Sequence, residues 1–166
     1  MSPLSKPSGD PLDPRALRQA LGAFATGITV VTARGSDGQL AGVTVNSFAS
    51  VSLNPPLVLW SLGNNSPSLA VFAGASHYAV NVLAADQQVL SQRFATSQND
   101  KFSGLEISEG AGGAALLPGC CAWFECRIVA RHPGGDHVIL VGEVEAFRSN
   151  EKSPLIYFGS GYCTLG

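Results

Sequence analysis

The stretch with the most groups able to bind a ligand is residues 44–57, with the sequence TVNSFASVSLNPPL. It carries four hydroxyl or amide side chains at positions of one parity: Thr44, Asn46, Ser50 and Ser52. Alternate residues of a regular strand share a face, so these groups are predicted to form one row, to which Ser47 could add only its backbone. Small uncharged donors of this kind suit a neutral heteroaromatic ring flanked by a phosphate. A barrel strand whose serines and threonines simply face water is the alternative.

Two glycine-containing motifs do not carry chemistry in this sequence. Residues 110–115 match the dinucleotide-binding pattern G-x-G-x-x-[G/A], which needs a strand before it and a helix after it. No apolar strand precedes these residues, and Pro118 follows too soon for a helix, so we predict a loop. Gly159-Ser160-Gly161 lacks the G-x-S-x-G spacing of a hydrolase nucleophile.

The histidines and cysteines do not form a metal-binding pattern. His77, His132 and His137 fall in different predicted elements and show no ligand spacing. The four cysteines lack the paired C-x2-C spacing of a zinc site: Cys120, Cys121, Cys126 and Cys163. We therefore predict no metal site, and cysteines that are reduced and buried like small hydrophobic side chains.

The composition excludes several classes of partner. The chain has 166 residues, with Lys+Arg 10, Asp+Glu 12 and a net charge of −2. Nucleic acids and acidic membranes need a basic patch, which so few Lys and Arg do not supply, so neither is predicted as a partner. Charged residues are 13% of the chain, roughly half the usual share, and residues 38–85 contain none. A surface this poor in charge suits a protein that hides part of it in an oligomer or around a ligand.

No segment resembles a membrane span or a signal peptide. Asn and Pro residues interrupt every apolar run in residues 38–85 well before the roughly 18 residues that a transmembrane helix needs. Residues 1–14 are polar and lack an apolar core. We therefore predict a cytoplasmic protein with no membrane partner.

The elements that must position the candidate residues are mostly strands. Residues 1–12 are predicted to be a flexible tail and residues 13–166 a single domain. Six or more predicted strands, two hairpins and three short helices do not alternate as βαβ units would. We therefore predict a mainly antiparallel β-barrel with helices on its outside, and a doubly wound parallel sheet is the weaker alternative.

The first helix has start and stop signals in the sequence. Asp13 is a good N-cap residue and Pro14 fits the first helical position, while Gly27 closes the segment. Three apolar residues of this segment fall on one face: Leu17, Leu21 and Phe24.

Four sequence blocks in order resemble the short-chain flavin reductase family. They are residues 24–32, residues 44–57, the turn Gly135-Asp136-His137 and residues 154–158. Members of this family are the small reductase components of two-component flavin monooxygenases, with an FMN-binding split β-barrel of Greek-key type. The resemblance implies a homodimer, a flavin at the subunit interface, and hydride transfer to that flavin from a nicotinamide nucleotide.

The resemblance also implies site residues in residues 44–66. Four positions match the family stretch that borders the isoalloxazine ring: Thr44, Val45, Asn46 and Ser47. Four more match the part that runs towards the ribityl chain and phosphate: Ala49, Ser50, Val51 and Ser52. Ser61, together with Ser66 at a predicted helix start, would add donors to the phosphate, because a helix N-terminus favours anions.

Three more positions are implied further along the chain. Phe94 and Lys101 match the aromatic and basic positions that follow the third helix in the family, where Lys101 would neutralise phosphate. Ordinary core packing for Phe94 and a solvated charge for Lys101 are the alternatives. His137 matches the histidine beside the nicotinamide site, and a histidine that only braces the hairpin turn is the alternative.

The predicted function is therefore that of an NAD(P)H:flavin oxidoreductase that supplies reduced flavin to a partner monooxygenase. FMN and FAD are both candidate cofactors, and NADH and NADPH are both candidate hydride donors. Two other functions fit the same sequence features: a flavin-binding barrel without enzymatic activity, and a ferric reductase or related split-barrel oxidase that uses bound flavin.

Overall fold

Strands dominate the computed structural model, which describes residues 13–97 and 100–165. The described residues form twelve strands: β1 (Thr26–Gly27), β2 (Thr29–Arg34), β3 (Leu40–Val45), β4 (Ala49–Leu53), β5 (Pro56–Gly63), β6 (His77–Val82), β7 (Ser108–Glu109), β8 (Ala115–Leu116), β9 (Ala122–Gly134), β10 (His137–Ser149), β11 (Ile156–Phe158) and β12 (Gly161–Cys163). They also form three α-helices: α1 (Pro14–Leu21), α2 (Leu69–Gly74) and α3 (Gln88–Phe94). The predicted tail, residues 1–12, lies outside the described residues.

Seven of these strands form one sheet in the order β3-β2-β6-β9-β10-β5-β4. β9 and β10 pair along a long hairpin whose turn contains Gly135 and Asp136. Smaller sheets contain β1-β11-β12 and β7-β8. Every strand pair in the described part of the chain is antiparallel. The predicted mainly antiparallel β architecture with a few short helices is confirmed.

The two edges of the large sheet come together at a seam between β3 and β4. A flat sheet of seven strands would hold its edge strands about 29 Å apart, at about 4.8 Å per strand. β3 and β4 are these edges, yet only residues 46–48 connect them. A connection of this length spans at most about 14 Å. The sheet therefore curls into a barrel whose edges meet at the seam.

Two apolar clusters stabilise the barrel. The first lies inside it, where the Trp60 ring meets Phe72 and Tyr78 edge to face, with centroid distances of 4.9 Å and 5.8 Å. The second lies on the other face of β2, where Val30 packs with Leu83 and Phe94. Burial on both faces of β2 fixes the register of the strands that carry the candidate site.

The first helix forms with the predicted cap, but its apolar face is exposed. The Asp13 carboxylate accepts a hydrogen bond from the backbone N–H of Arg15 at 3.0 Å. The predicted closure at Gly27 is wrong, because Gly22 caps the helix and Gly27 lies in β1. No residue of α1 is buried: Leu17 and Leu21 are 44% and 64% exposed, and Phe24, which follows the end of the helix, is 79% exposed. Apolar stripes on helices normally pack against a core, so this face is a surface suited to contact with another chain.

The described helices are short. α1 has eight residues, whereas a membrane-crossing helix needs about 20. In the part of the chain that the structure describes, no helix has the length and apolar character that spanning a membrane requires.

Candidate functional site

A cleft of about 310 Å³ opens at the seam, and we call it the seam cleft. The end of β3 and the connection after it form one wall, with Thr44, Val45, Asn46 and Ser47. The end of β5 and the loop after it form the opposite wall, with Ser61 and Ser66, and His137 stands at the start of β10. Seven of the residues predicted from the sequence therefore share one cleft. Its volume is near the lower end of the range for small-molecule sites, about 300–1,000 Å³.

Ser47 fastens the two walls of the seam cleft together. Its hydroxyl accepts a hydrogen bond from the backbone N–H of Ser61 at 3.0 Å and lies 3.3 Å from the Ser61 carbonyl oxygen, to which it donates. Both residues are half-buried. The Ser47 side chain thus extends the pairing of β4 with β5 beyond Ala49, and it holds residues 46–48 in place.

Replacing Ser47 by alanine is expected to lower the free energy of unfolding by about 1–3 kcal/mol, because the Ser61 N–H loses its partner in a half-buried place. Thermal unfolding followed by circular dichroism measures this effect. Ser50→Ala is the matched control, since the Ser50 side chain is exposed and its hydroxyl bonds no described residue. Equal Tm values for the two variants would contradict the role assigned to Ser47.

Two threonine hydroxyls anchor the end of β3. Thr44 donates to the carbonyl oxygen of Ser91 in α3 at 2.6 Å, and Thr29 donates to that of Val45 at 3.2 Å. The Thr44 hydroxyl is therefore engaged within the protein. By contrast, the Asn46 side chain is exposed at the cleft and makes no hydrogen bond to any described residue. Its amide is free to bind a ligand.

His137 is oriented by its neighbour in the hairpin. The ring Nδ1 of His137 lies 2.6 Å from Oδ1 of Asp136. This hydrogen bond, together with the charge of the imidazolium when it forms, lowers the pKa of Asp136. Since Nδ1 is engaged, Nε2 is the ring nitrogen available to a ligand, and it lies 3.8 Å from the position that a Cβ on Gly63 would occupy.

Gly63 is a site residue that the sequence interpretation missed. A Cβ at this position would lie 3.1 Å from Oδ1 of Asn65 and would narrow the seam cleft beside His137. Gly63 of β5 pairs with His137 of β10, and this pairing identifies it as a site residue. The pairing depends on strand register and is not visible in the sequence alone.

The predicted single row of side chains along residues 44–52 is wrong. β3 ends at Val45, and β4 begins at Ala49 on the opposite edge of the sheet, so the alternation is interrupted at residues 46–48. A bulge between Ser50 and Ser52 shifts the parity again at Val51. Ala49, Ser50 and Val51 are exposed on the edge strand β4, outside the seam cleft. The Ser52 hydroxyl accepts a hydrogen bond from the backbone N–H of Asn54 at 3.2 Å.

Phe94 is part of the core and does not reach the seam cleft. Its ring has no exposed surface and meets Phe102 edge to face at 5.0 Å. It lies against Gly42 of β3, where a Cβ would be only 2.6 Å from a ring carbon of Phe94. The core-packing alternative for Phe94 therefore describes this structure, and its contact with a cofactor stays a prediction.

Lys101 lies in a neighbouring cleft, where it binds backbone oxygens. Its ammonium group donates to the carbonyl oxygens of Gly42 and Phe94, each at 3.1 Å. Burial lowers the pKa of Lys101. Ser68 lines the same cleft, so this cleft and the seam cleft share the loop that contains Ser66 and Ser68. The solvated-charge alternative for Lys101 is wrong, and one ammonium hydrogen remains for an anion.

The helix start predicted at Ser66 is also wrong. α2 begins at Leu69, and the Ser66 hydroxyl accepts a hydrogen bond from the backbone N–H of Ser68 at 3.3 Å. A helix of six residues that starts beyond the cleft offers a weak dipole there. Ser66 can contribute its own polar groups to the cleft, without help from a helix N-terminus.

The cysteines lie away from the seam cleft. Cys120, Cys121 and Cys126 are free and buried, as predicted, whereas Cys163 is free and only half-buried. Burial raises the pKa of Cys120 and of Cys126 to about 12. Among residues 13–97 and 100–165, no three His, Cys, Asp or Glu side chains come together as a metal site would require.

Comparisons with known proteins identify the family. The family model of the flavin reductase like domain matches residues 21–166. This chain belongs to the flavin reductase family. The resemblance inferred from the four sequence blocks is confirmed.

Curated and solved relatives extend this assignment. The FMN reductase (NADH) SmoA of Agrobacterium fabrum is 49% identical over 148 residues, or 89% of this chain and 84% of SmoA. The reductase component of a flavin-dependent trigonelline monooxygenase from Acinetobacter baylyi is 43% identical over 150 residues, 90% of this chain but 48% of that protein. The NADH:FAD oxidoreductase SgcE6 of Streptomyces globisporus, solved in complex with NAD and FAD fragments, is 36% identical, with a TM-score of 0.89 and coverage of 95% of both chains. The chain thus spans most of SmoA and about half of the Acinetobacter protein. The split-barrel fold predicted for this flavin reductase is confirmed.

Proposed function

We propose that this chain is an NAD(P)H:flavin oxidoreductase that transfers a hydride from NADH or NADPH to FMN or FAD. The observation that carries this proposal is the seam cleft, where residues 44–47, Ser61, Ser66 and His137 meet around a space without charged side chains. The family assignment and the names of SmoA and SgcE6 support the same activity.

The groups that line the seam cleft fit a flavin. The free Asn46 amide and the hydroxyl of Ser61 offer donors and acceptors to the polar edge of a flat ring. The half-buried apolar side chain of Val43 borders the same space and suits a face of the ring. The cleft holds less than a whole dinucleotide, so the remaining parts of the cofactors would lie along the open seam, towards β4 and Lys101.

The chain itself performs no acid or base chemistry in this proposal. Flavin and nicotinamide, when bound, supply the redox chemistry. No Asp, Glu, Lys or Arg of the described residues lines the seam cleft, which suits a hydride transfer, because such a step needs no general acid or base. The residues of the cleft bind the two rings, orient them and exclude water.

Replacing His137 by alanine is expected to raise KM for NADH or NADPH about tenfold, which corresponds to a contact worth roughly 1.4 kcal/mol. The reason is that the free Nε2 of His137 can donate to, or accept from, the nucleotide at the opening of the seam cleft. The flavin dissociation constant is expected to stay unchanged. Steady-state kinetics at saturating flavin measure KM, and flavin fluorescence measures binding.

His132→Ala is the matched control for this variant. His132 is exposed on β9 of the same hairpin, pairs with Ile139 and does not line the seam cleft. A His137→Ala variant with a lower Tm but a normal KM would mean that the contact with Asp136 only braces the turn. That outcome would remove His137 from the site.

We also propose that the protein is a homodimer whose interface includes α1. The support is the exposed apolar face of Leu17, Leu21 and Phe24, which no described residue covers. Exposed Phe147 on β10 adds a second apolar surface, where it stacks on Phe124 with a centroid distance of 6.5 Å. Apolar surfaces of this kind are typical of subunit interfaces.

Light scattering is expected to give about twice the 17.2 kDa mass of one chain. Changing Leu21 and Phe24 to glutamate is expected to shift the protein towards that single-chain mass, because two charges would be buried in the interface. Gln19→Glu is the control, since Gln19 lies on the opposite face of α1. A single-chain mass for the parent protein would contradict the homodimer. If flavin is still tightly bound to that single chain, the flavin site implied by the family resemblance is not shared between subunits.

We propose that this chain supplies reduced flavin to an oxygenase and that it is cytoplasmic. The relative from Acinetobacter is named as the reductase component of a monooxygenase, which supports an oxygenase that receives reduced flavin from this chain by diffusion. Four free cysteines suit the reducing conditions of the cytoplasm.

The experiment that tests the proposed activity is NADH and NADPH oxidation by the purified chain, with FMN or FAD added in separate assays. Turnover that requires both a nucleotide and a flavin is the expected result. Flavin binding without nucleotide oxidation would favour the non-enzymatic barrel. Turnover that requires a ferric chelate in addition would favour a ferric reductase.

A further inference from the structure

A cleft of about 380 Å³ lies between α1 and the turn that joins β11 to β12. Arg15, Arg18 and Gln19 of α1 form one wall. Gly159 and Ser160 of the turn form the other wall. We call this space the arginine cleft. None of these five residues lines the seam cleft, so the arginine cleft is a separate candidate site.

The first helix directs its polar face towards the rest of its own chain. Arg15, Arg18 and Gln19 lie on one side of α1, because residues three and four apart share a helix face. That side lines the arginine cleft, whereas Leu17 and Leu21 lie on the other side and are exposed. An amphipathic helix normally buries its apolar side and leaves its polar side to water. The interface proposed above for the apolar side therefore leaves the arginine cleft open.

The two guanidinium groups of the arginine cleft have no partner in residues 13–97 and 100–165. Neither Arg15 nor Arg18 forms an ion pair or a side-chain hydrogen bond there. Asp13 accepts from the backbone N–H of Arg15 and lies outside the cleft. The stability of α1 does not explain Arg15, because a cation in the first turn opposes the helix dipole. Both groups are therefore available to an anion.

The opposite wall is a fixed turn that presents a hydroxyl group. Gly159 and Ser160 have φ values of 57° and 66°, as a two-residue hairpin turn requires. Ser160 is the only non-glycine residue with a positive φ in the described part of the chain, although glycine adopts this conformation more easily. Its hydroxyl bonds no described residue. The backbone N–H of Gly159 donates to the carbonyl oxygen of Gly22 at 2.9 Å, which holds the turn against α1.

The hairpin of β11 and β12 connects the arginine cleft with the end of β3. Tyr157 and Tyr162 of this hairpin line a smaller cleft of about 210 Å³, which shares residues 44–46 with the seam cleft. Tyr157 precedes Gly159 by two positions, a distance of about 7 Å along a strand. An anion in the arginine cleft would therefore lie one short hairpin away from the candidate site.

We propose that the arginine cleft binds a phosphate group through Arg15, Arg18 and the Ser160 hydroxyl. Guanidinium groups bind phosphate oxygens in pairs, and a hydroxyl adds a further donor, so the three groups together suit an anion with several oxygens. The phosphate has two possible sources: inorganic phosphate or pyrophosphate in solution, and the phosphates of a nucleotide cofactor. The second source rests on the proposed function. A nucleotide bound in this way would leave the seam at this end and not towards β4.

Binding of inorganic pyrophosphate to the full chain, measured by titration calorimetry, tests the site without any cofactor. Arg15→Gln and Arg18→Gln are each expected to raise the pyrophosphate dissociation constant about tenfold, because each removes a charged hydrogen bond. Lys152→Gln is the matched control, since it removes the same charge outside the cleft, where Lys152 pairs with the exposed Asp86. Ser160→Gly is expected to weaken binding with a Tm no lower than that of the parent chain, because glycine adopts the positive φ more easily.

The dissociation constants of FMN, FAD, NAD⁺ and NADP⁺ identify the source of the phosphate. Weaker binding of FAD, but not of FMN, by the Arg15→Gln/Arg18→Gln double variant would assign the cleft to the diphosphate of FAD. Weaker binding of both flavins would assign it to the phosphate that they share. Weaker binding of both nicotinamide nucleotides would assign it to their diphosphate, and of NADP⁺ alone to its 2′-phosphate. Weaker binding of pyrophosphate alone would assign it to the free anion.

The proposal is overturned if the parent chain and the double variant bind pyrophosphate and all four cofactors equally well. It is also overturned if Lys152→Gln weakens binding as much as either arginine variant. These results are distinct from the proposed activity, because binding is measured without turnover. A chain that binds pyrophosphate through Arg15 and Arg18 but oxidises neither NADH nor NADPH with flavin present would disprove the proposed function and support the arginine cleft.

Discussion

A variant with Ser50 and Ser52 both replaced by alanine is expected to bind flavin at least about a hundredfold more weakly than the parent protein, with little change in Tm. Each hydroxyl that bonds a charged phosphate contributes about 1.5–3 kcal/mol, and tenfold in affinity corresponds to about 1.4 kcal/mol. Both residues lie on the edge strand β4, and the Ser50 hydroxyl is exposed and bonds no described residue. The loss of a phosphate contact is therefore expected to raise the flavin dissociation constant and to leave Tm nearly unchanged.

Fluorescence titration of FMN and FAD measures the effect of this double change. Ser108→Ala is the control, because Ser108 is also an exposed serine on a short strand. It lies outside the seam cleft and outside the cleft lined by Tyr157 and Tyr162. An unchanged flavin dissociation constant would mean that the Ser50 and Ser52 hydroxyls simply face water. The phosphate would then have to bind elsewhere, and Lys101 in the neighbouring cleft is a candidate cation for it.

Gly142→Ala is expected to destabilise the fold by about 3 kcal/mol, at the upper end of the usual effect of overpacking a core. A Cβ on Gly142 would lie 2.6 Å from Cζ of Tyr78 and 2.9 Å from Cβ of Cys126. Tyr78 is fully buried against Trp60 and has no room to move aside. Thermal unfolding is expected to show a Tm several degrees lower than that of the parent protein.

Two further variants sharpen this test. Gly27→Ala is the control, because no atom lies within 4 Å of its added Cβ. Tyr78→Phe removes a buried hydroxyl that has no hydrogen-bond partner among the described residues, so it is expected to be nearly neutral alone. It should also recover part of the stability lost in Gly142→Ala. A Gly142→Ala protein as stable as Gly27→Ala would show that the barrel interior adapts at the irregular pairing of β9 and β10 between Val141 and Gly142.

Local patterns in the sequence predict much of this fold. A run of β-branched residues identifies β2, and Asp13 and Pro14 identify the start of α1, because strand propensity and helix capping depend on neighbouring residues. The family resemblance adds the non-local part: it brings Thr44, Ser61 and His137 together, although they come from three different strands.

The features that the sequence does not predict depend on contacts between distant residues. The row expected along residues 44–52 fails because β4 pairs with β5 through a bulge, and bulges have no reliable local signal. Phe94 lies in the core because Gly42 lets its ring approach β3. The smaller cleft lined by Tyr157 and Tyr162 forms only when β11 and β12 pack beside the end of β3, and neither tyrosine was predicted as part of the site.

Anaerobic mixing of the purified chain with NADH and either FMN or FAD tests the proposed activity most directly. We expect the flavin absorbance to bleach at a rate proportional to the concentration of the chain, with one nucleotide oxidised for each flavin reduced. The His137→Ala variant is expected to bleach the flavin more slowly than the parent chain at low NADH. At high NADH the two rates are expected to be equal. Flavin that binds to the chain but stays oxidised with both NADH and NADPH would contradict the proposed function.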